Sequence, residues 1–303
     1  MRKALLQAFG ATLIWGVSFL AIQLALTSAA PLGVVWMRNA LGAAALYVIL
    51  RVRGGPLAPE PEDRRRVLLL GGLMAAHMLI QTLSMRFTST MRAGWIVAFI
   101  PALVAVGAHL FLKQRMRAIG WVGIVVATCG VFVLTATRPA QLARAGVGDA
   151  LMLASTFTWA AYSLLSLKAV QRSGGLRISA AALAVSVAPT AATAAALGET
   201  WSAAPTSQSV GALLFLGVLA SGLAMWLFSS ALATLGPERA ASFQYIQPFV
   251  TVAASFAFLA EPFTAQQFLG GPLVLAGVWF VQRGKRSPSP RSDEFRNALR
   301  QQS

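Results

Sequence analysis

The sequence predicts an all-α polytopic membrane protein, with ten transmembrane helices arranged as two inverted five-helix repeats. Three observations carry this. First, of 303 residues 57% are hydrophobic and only 11% are charged, and the mean hydropathy is +0.67. Soluble domains carry about 25% charged residues. Second, the segment from Arg92 to Leu134 recurs without a gap as the segment from Arg239 to Val281. Ala93 falls on Ala240, Pro101 on Pro248, Gly123 on Gly270, and Gly130-Val131 on Gly277-Val278, all at an offset of 147 residues. A weaker echo, at offset 144, sets Trp15 on Trp159. Apolar residues match by chance in such chains, but prolines and paired glycines at one offset do not do so readily. Third, lysine and arginine sit in the gaps between apolar runs, and alternate gaps hold nearly all of them.

Ten apolar runs have spanning length, because a hydrocarbon core of about 30 Å needs roughly 20 helical residues. Those of the first half are approximately 4–27, 32–50, 67–87, 91–112 and 119–137. The first has Arg2-Lys3 ahead of it and small residues behind, as a cleaved signal peptide would. Its apolar stretch is too long for one, and its match near Trp159 is internal, so it is read as a retained helix. Between the second and third runs lies Val52–Arg66, a Pro/Gly-rich, charged, solvated loop. Arg138–Val147 joins the halves. The second half contributes runs 148–170, 178–198, 208–233, 239–259 and 266–283. The units are therefore residues 4–137 and 148–283, followed by a basic tail, 284–303, whose SPSP and scattered charges predict disorder.

Orientation follows from positive charge, which is enriched on the cytoplasmic side. With the N-terminus inside, the inner segments hold twenty Lys and Arg residues, and the outer ones hold only Arg86, Arg92, Arg138 and Arg144. Both termini are therefore placed in the cytoplasm. The net charge of +16 becomes a topology signal and not a nucleic-acid footprint, because no single face collects it. Five spans per half is an odd number, so the second half enters from the opposite side. Inverted repeats of this kind belong to transporters, with a site near the midplane between the halves.

Polar side chains at membrane depth are costly and face a cavity or another helix. His77, Gln81 and Ser84 share one helical face of the third run. Gln244, Gln247, Thr251 and Ser255 form a stripe in the ninth, and Ser155, Trp159, Tyr162, Ser163 and Ser166 one in the sixth. Trp15, Ser18 and Phe19 occupy the matching face of the first, and Trp95 and Phe99 are one turn apart in the fourth. The candidate cavity residues are Trp15, Ser18, His77, Gln81, Trp95, Phe99, Trp159, Tyr162, Ser163, Gln244 and Gln247. Serines and threonines also back-bond within their helices, and Trp at a span end is ordinarily interfacial. Trp226, like Trp15 and Trp159, lies nearer mid-run and is a cavity candidate. His77 fits either an interhelical hydrogen bond or a substrate or proton role. Arg38, inside the second run, is expected to play a structural part through snorkelling or a backbone or lipid contact, the alternative being a carboxylate clamp.

Pro101 and Pro248 interrupt the backbone ladder at matching points and are candidate hinges, the alternative being static kinks. The paired glycines suit close helix packing. The single cysteine, Cys129, is expected to be a small buried packing residue. No Cys/His spacing suggests a metal, and no cofactor is expected. Asp149, Glu199, Glu238 and Glu261 sit near run ends, so no embedded carboxylate cluster supports strong proton or sodium coupling. No acid pair or His-Asp constellation supports enzyme chemistry.

The stretches IWGVSF (14–19), WMRNALGAA (36–44) with Arg38, the prolines Pro101 and Pro248, and FLAEPFTAQQFLGGPLVLAGVW (258–279) with Glu261 resemble the drug/metabolite transporter superfamily, specifically its ten-helix EamA-type exporters. The likeness covers roughly residues 4–283. It departs at Gln114, where the first repeat would carry the acid matching Glu261. The aromatic-rich helices are similar to those of YddG-type amino-acid exporters. That resemblance implies export of aromatic and other neutral amino acids, with broad specificity, by alternating access through a central cavity. The chain is expected to be a multi-pass protein of a bacterial-type inner membrane, active as a monomer. Its partners are the lipid bilayer and small-molecule substrates, with no nucleic acid. Uniport or weak coupling is expected; the alternative is a proton-driven drug or metabolite exporter titrating at His77.

Overall fold

A computed structural model describes residues 1–113, 116–135 and 142–284, with side chains from 146 onward in the last segment. Gln114, most of the linker between the halves and the tail predicted to be disordered lie outside the described residues. Within them the chain is nearly all helical, with an isolated bridge between Ala29 and Trp201 and no strand. The helices are α1 (Arg2–Ala25), α2 (Pro31–Val52), α3 (Arg64–Ser84), α4 (Thr90–Val97), α5 (Ile100–Phe111) and α6 (Ala118–Thr135). They continue as α7 (Leu142–Ser173), α8 (Gly175–Leu197), α9 (Ser207–Leu214), α10 (Ala224–Leu235), α11 (Pro237–Ser242), α12 (Gln247–Leu259) and α13 (Ala265–Arg283). A π-helical segment, Phe215–Leu223, joins α9 to α10.

Eight helical stretches are long and apolar enough to cross a membrane, among them Thr90–Phe111 and Ser207–Leu235. The ninth and tenth runs of the sequence are helical too, but they differ from the rest. The ninth is broken into α11, a 3-10 turn (Phe243–Ile246) and α12. The tenth, α13, carries Gln266, Gln267 and Gln282 near its ends, which lower its mean hydropathy.

The fourth run, expected as one helix, is also broken, and at the equivalent place. α5 starts at Ile100 and α12 at Gln247, 147 residues apart. Pro101 and Pro248 each fall in the first turn of the restarted helix, where a missing N–H costs nothing. The N–H groups across the first break are satisfied by tight i→i−3 bonds, from Ala98 to the Trp95 carbonyl at 3.2 Å and from Phe99 to that of Ile96 at 3.1 Å.

Helix packing relies on glycine. α6 and α13 run antiparallel in close contact, with Gly123 against Gly277 and Gly130 against Gly270. A Cβ on Gly277 would lie 2.2 Å from the Ala127 nitrogen and 2.6 Å from the Gly123 oxygen. Residues that match in the sequence thus exchange partners across one seam. A 3.0 Å hydrogen bond from Asn39 to Ser186 joins α2 to α8. Cys129 corrects the expectation of burial: it is exposed on α6, because the glycine face takes the packing and turns Cys129 toward lipid.

Gly277→Leu therefore cannot be relieved by moving a flexible side chain. The unfolding midpoint in detergent is expected to fall, by an amount reflecting about 1–3 kcal/mol of overpacking. An unchanged midpoint would mean that the seam is looser than described.

Candidate functional site: a cavity at the helix breaks

The two breaks face each other across the bundle interior. Val97 and Ile100, flanking the first, and Gln244 and Gln247, at the second, line one central cavity. These are equivalent positions: Val97 matches Gln244 and Ile100 matches Gln247 at the 147-residue offset. One wall is therefore apolar and the other carries two amides. Trp15, Ser18 and Phe19 from α1, Arg38 from α2, His77, Met78 and Gln81 from α3, and Trp159 from α7 complete the lining. Helices of both halves thus contribute.

Each lining side chain is held by its neighbours. The Trp15 indole N–H donates to the Ala220 carbonyl at 3.0 Å, and Arg38 Nε donates to Ser221 Oγ at 3.0 Å. Both acceptors lie in the π-helical segment, whose wider turn frees carbonyls and re-aims side chains. His77 Nδ1 lies 3.0 Å from the Ser155 carbonyl oxygen and 3.0 Å from Thr158 Oγ1. A carbonyl only accepts, so the ring carries its proton on Nδ1. His77 thus makes an interhelical bond and lines the cavity as well. Trp159 stacks on Tyr162 with centroids 5.6 Å apart, meets Trp15 edge-on at 5.0 Å, and packs on His77 at 5.1 Å. Phe228, 5.2 Å from Trp15 and 5.3 Å from Trp159, backs this cluster.

Of the residues predicted for the cavity, Trp15, Ser18, His77, Gln81, Trp159, Gln244 and Gln247 come together in it. Trp95 and Phe99 do not. With Val97 and Ile100 turned inward, they fall on the opposite face of the helix, in the cluster shared with α6 and α13. Trp95 lies over Gly271 and meets Phe249 at 5.9 Å. It borders a larger groove of about 410 Å³ whose rim phenylalanines, including Phe256 and Phe268, are exposed. Tyr162 and Ser163 sit one layer behind Trp159; Ser163 Oγ donates to the Trp159 carbonyl at 2.9 Å. Trp226 is also outside the cavity and lies under the Arg53 guanidinium at 4.6 Å. Conversely Arg38, expected to be structural, is both anchored and cavity-lining. Its sequence signals are a charge inside an apolar run and its place in the stretch WMRNALGAA.

The cavity volume is about 30 Å³, room for roughly two waters at about 10–15 Å³ of probe volume each. Small-molecule sites usually measure about 300–1,000 Å³, so a solute can enter only if the helices separate. Contacts join the halves at both ends of the bundle. At one end Glu261 accepts the N–H groups of Thr90 and Met91, each at 3.0 Å. There Arg92 also pairs with Asp149, and Thr88 donates to Asp149 at 2.5 Å. At the other end Ser173 donates to Asp63 at 2.8 Å, and Arg177 pairs with Glu60 at 3.0 Å.

The model of the EamA-like transporter family matches the chain twice, over residues 2–136 and 146–283. The chain belongs to the EamA-like transporter family. It is a multi-pass membrane transporter. Among its relatives are the uncharacterized transporter YoaV of Bacillus subtilis, 22% identical over 92% of this chain and 96% of that protein, and an uncharacterized transporter of Archaeoglobus fulgidus, 25% identical over 93% and 99%. The uncharacterized inner membrane transporter YedA of Escherichia coli is 24% identical over 93% of each chain. A solved crystal structure shares the fold, with TM-score 0.71 at 18% identity, covering 92% of this chain and 96% of that one. In this EamA-like transporter, the duplicated family match coincides with the two halves whose breaks frame the cavity.

Trp15→Phe keeps an aromatic ring but removes the donor that binds the Ala220 carbonyl. A loss of about 1–3 kcal/mol is expected, read as a lower unfolding midpoint. Trp226→Phe should cost less, under about 1 kcal/mol, as a cation–π contact does. Equal effects would contradict the described bond.

Proposed function

We propose that this transporter exports amino acids, aromatic and other neutral ones, across a bacterial-type inner membrane. In this reading the halves are inverted repeats, and they rock to expose the central cavity alternately to each side. The observation that carries it is the two-sided cavity at the paired helix breaks. Trp15 and Trp159 offer aromatic faces, Val97 and Ile100 an apolar wall, and Gln81, Gln244 and Gln247 neutral amides. Such a lining accommodates a ring or an aliphatic side chain next to a polar head, with broad selectivity. Pro101 and Pro248, each restarting a helix beside the cavity, are assigned as the hinges. Lys and Arg placement puts both termini in the cytoplasm, so the Glu261 end faces outward and the Asp63 end inward.

Transport is assigned as uniport or weakly coupled, since no carboxylate lines the cavity among the described residues. A second reading, proton-driven export of drugs or other metabolites, is favoured by one observation, the presence of His77 in the lining. A transport rate indifferent to a pH gradient and to His77→Ala would count against that alternative.

Proteoliposomes loaded with labelled Phe or Met are expected to release label in a protein-dependent way. Replacing both amides with the residues of the first repeat (Gln244→Val with Gln247→Ile) should leave the protein folded and slow release about tenfold or more. Absence of release from the unmodified protein would sink the amino-acid reading.

A further inference from the structure

Three groups around the cavity have no hydrogen-bond partner among the described residues: Nη1 of Arg38, Nε1 of Trp159 and Oε1 of Gln244. Unpaired polar atoms at this depth are rare because each costs desolvation without return. Three lining one cavity call for a common explanation. Arg38 is the most demanding. The residue is 1% exposed, Nε is held by Ser221 while Nη1 is unpaired, and no ion pair among the described residues includes it. The acids nearest in character are used elsewhere: Glu261 caps α4 with both oxygens, Asp149 binds Arg92, and Asp63 is held by Ser173. All other lining residues are neutral or, in His77, basic.

The unpaired set consists of two donors, one of them cationic, and one acceptor. A carboxylate accepts from the donors, and a guanidinium suits it better than an ammonium does, because its planar fork matches the two oxygens. An ammonium donates to the amide carbonyl. We propose that Arg38 is the anion-binding residue of the cavity and takes the carboxylate of a zwitterionic substrate, with Gln244 receiving its ammonium. The solute's side chain then lies toward Val97, Ile100 and the tryptophans. Ser221, through Nε, positions the guanidinium and leaves Nη1 for the ligand. Arg38 is in this way a specificity determinant: it selects solutes with a free carboxylate over their neutralised analogues.

The inference rests on the amino-acid reading of the cavity, and one experiment separates the two. Counterflow of labelled Phe in proteoliposomes is inhibited with unlabelled Phe, with phenylalaninamide, which lacks the carboxylate charge, and with 3-phenylpropionate, which lacks the ammonium. The amide is expected to inhibit about tenfold or more weakly than Phe, and 3-phenylpropionate to fall between them. Arg38→Gln should raise the KM for Phe about tenfold or more and bring Phe and its amide within about threefold of each other. Arg38→Lys, which keeps a cation, should retain part of the preference. Equal inhibition by Phe and its amide in the unmodified protein overturns the proposal while leaving amino-acid transport intact, and this comparison needs no variant to fold. A preference that survives in Arg38→Gln also overturns it. No counterflow of Phe at all overturns the amino-acid reading, and the proposal with it.

Discussion

A chain inside a bilayer must satisfy its own backbone, because no water is present to do so, and irregular backbone is tolerated only where protein or a cavity surrounds it. That constraint shapes this transporter more than any single contact. The fourth and ninth runs are broken at equivalent points, and both breaks are buried against the centre of the bundle. Tight i→i−3 bonds close the first break, and a 3-10 turn spans the second. The prolines restart each helix at the position where their missing N–H is harmless. The breaks are thus stable enough to exist, and they bring Val97, Ile100, Gln244 and Gln247 to one cavity.

The duplicated frame and the chemistry come from different features of the sequence. Matching residues meet in a seam, as the paired glycines of α6 and α13 do. At the cavity the matching residues differ, and the amides stand in one half only. The ends differ as well. Glu261 caps the start of α4 through two backbone N–H groups. The equivalent helix start, at Pro237-Glu238, lacks the first of those N–H groups and carries its own acid.

Much of this was legible in the sequence. Hydropathy and the 147-residue offset gave the helical runs, and the stripes on the first, third and ninth runs hold Trp15, Ser18, His77, Gln81, Gln244 and Gln247, which line one cavity. The offset also located the matched prolines, but not that each marks a restart after a break. Trp95 and Phe99 were misplaced because aromatic residues at helical spacing do not say which face turns inward once a helix is interrupted. The π-helical segment has no sequence signature, so the anchoring of Trp15 and Arg38 by Ala220 and Ser221 was out of reach. Cys129 looked buried because its run is apolar on every side, and the run's own glycines decide which side packs.

The central claim is that one cavity at the helix breaks opens alternately to each face of the membrane. The most direct measurement replaces the single Cys129 with Ser, introduces Val97→Cys, and applies membrane-impermeant thiol reagents from one side at a time. Labelling from both sides, slowed by saturating Phe, is the expected result. Labelling from one side only, or from both at rates indifferent to Phe, would contradict the account.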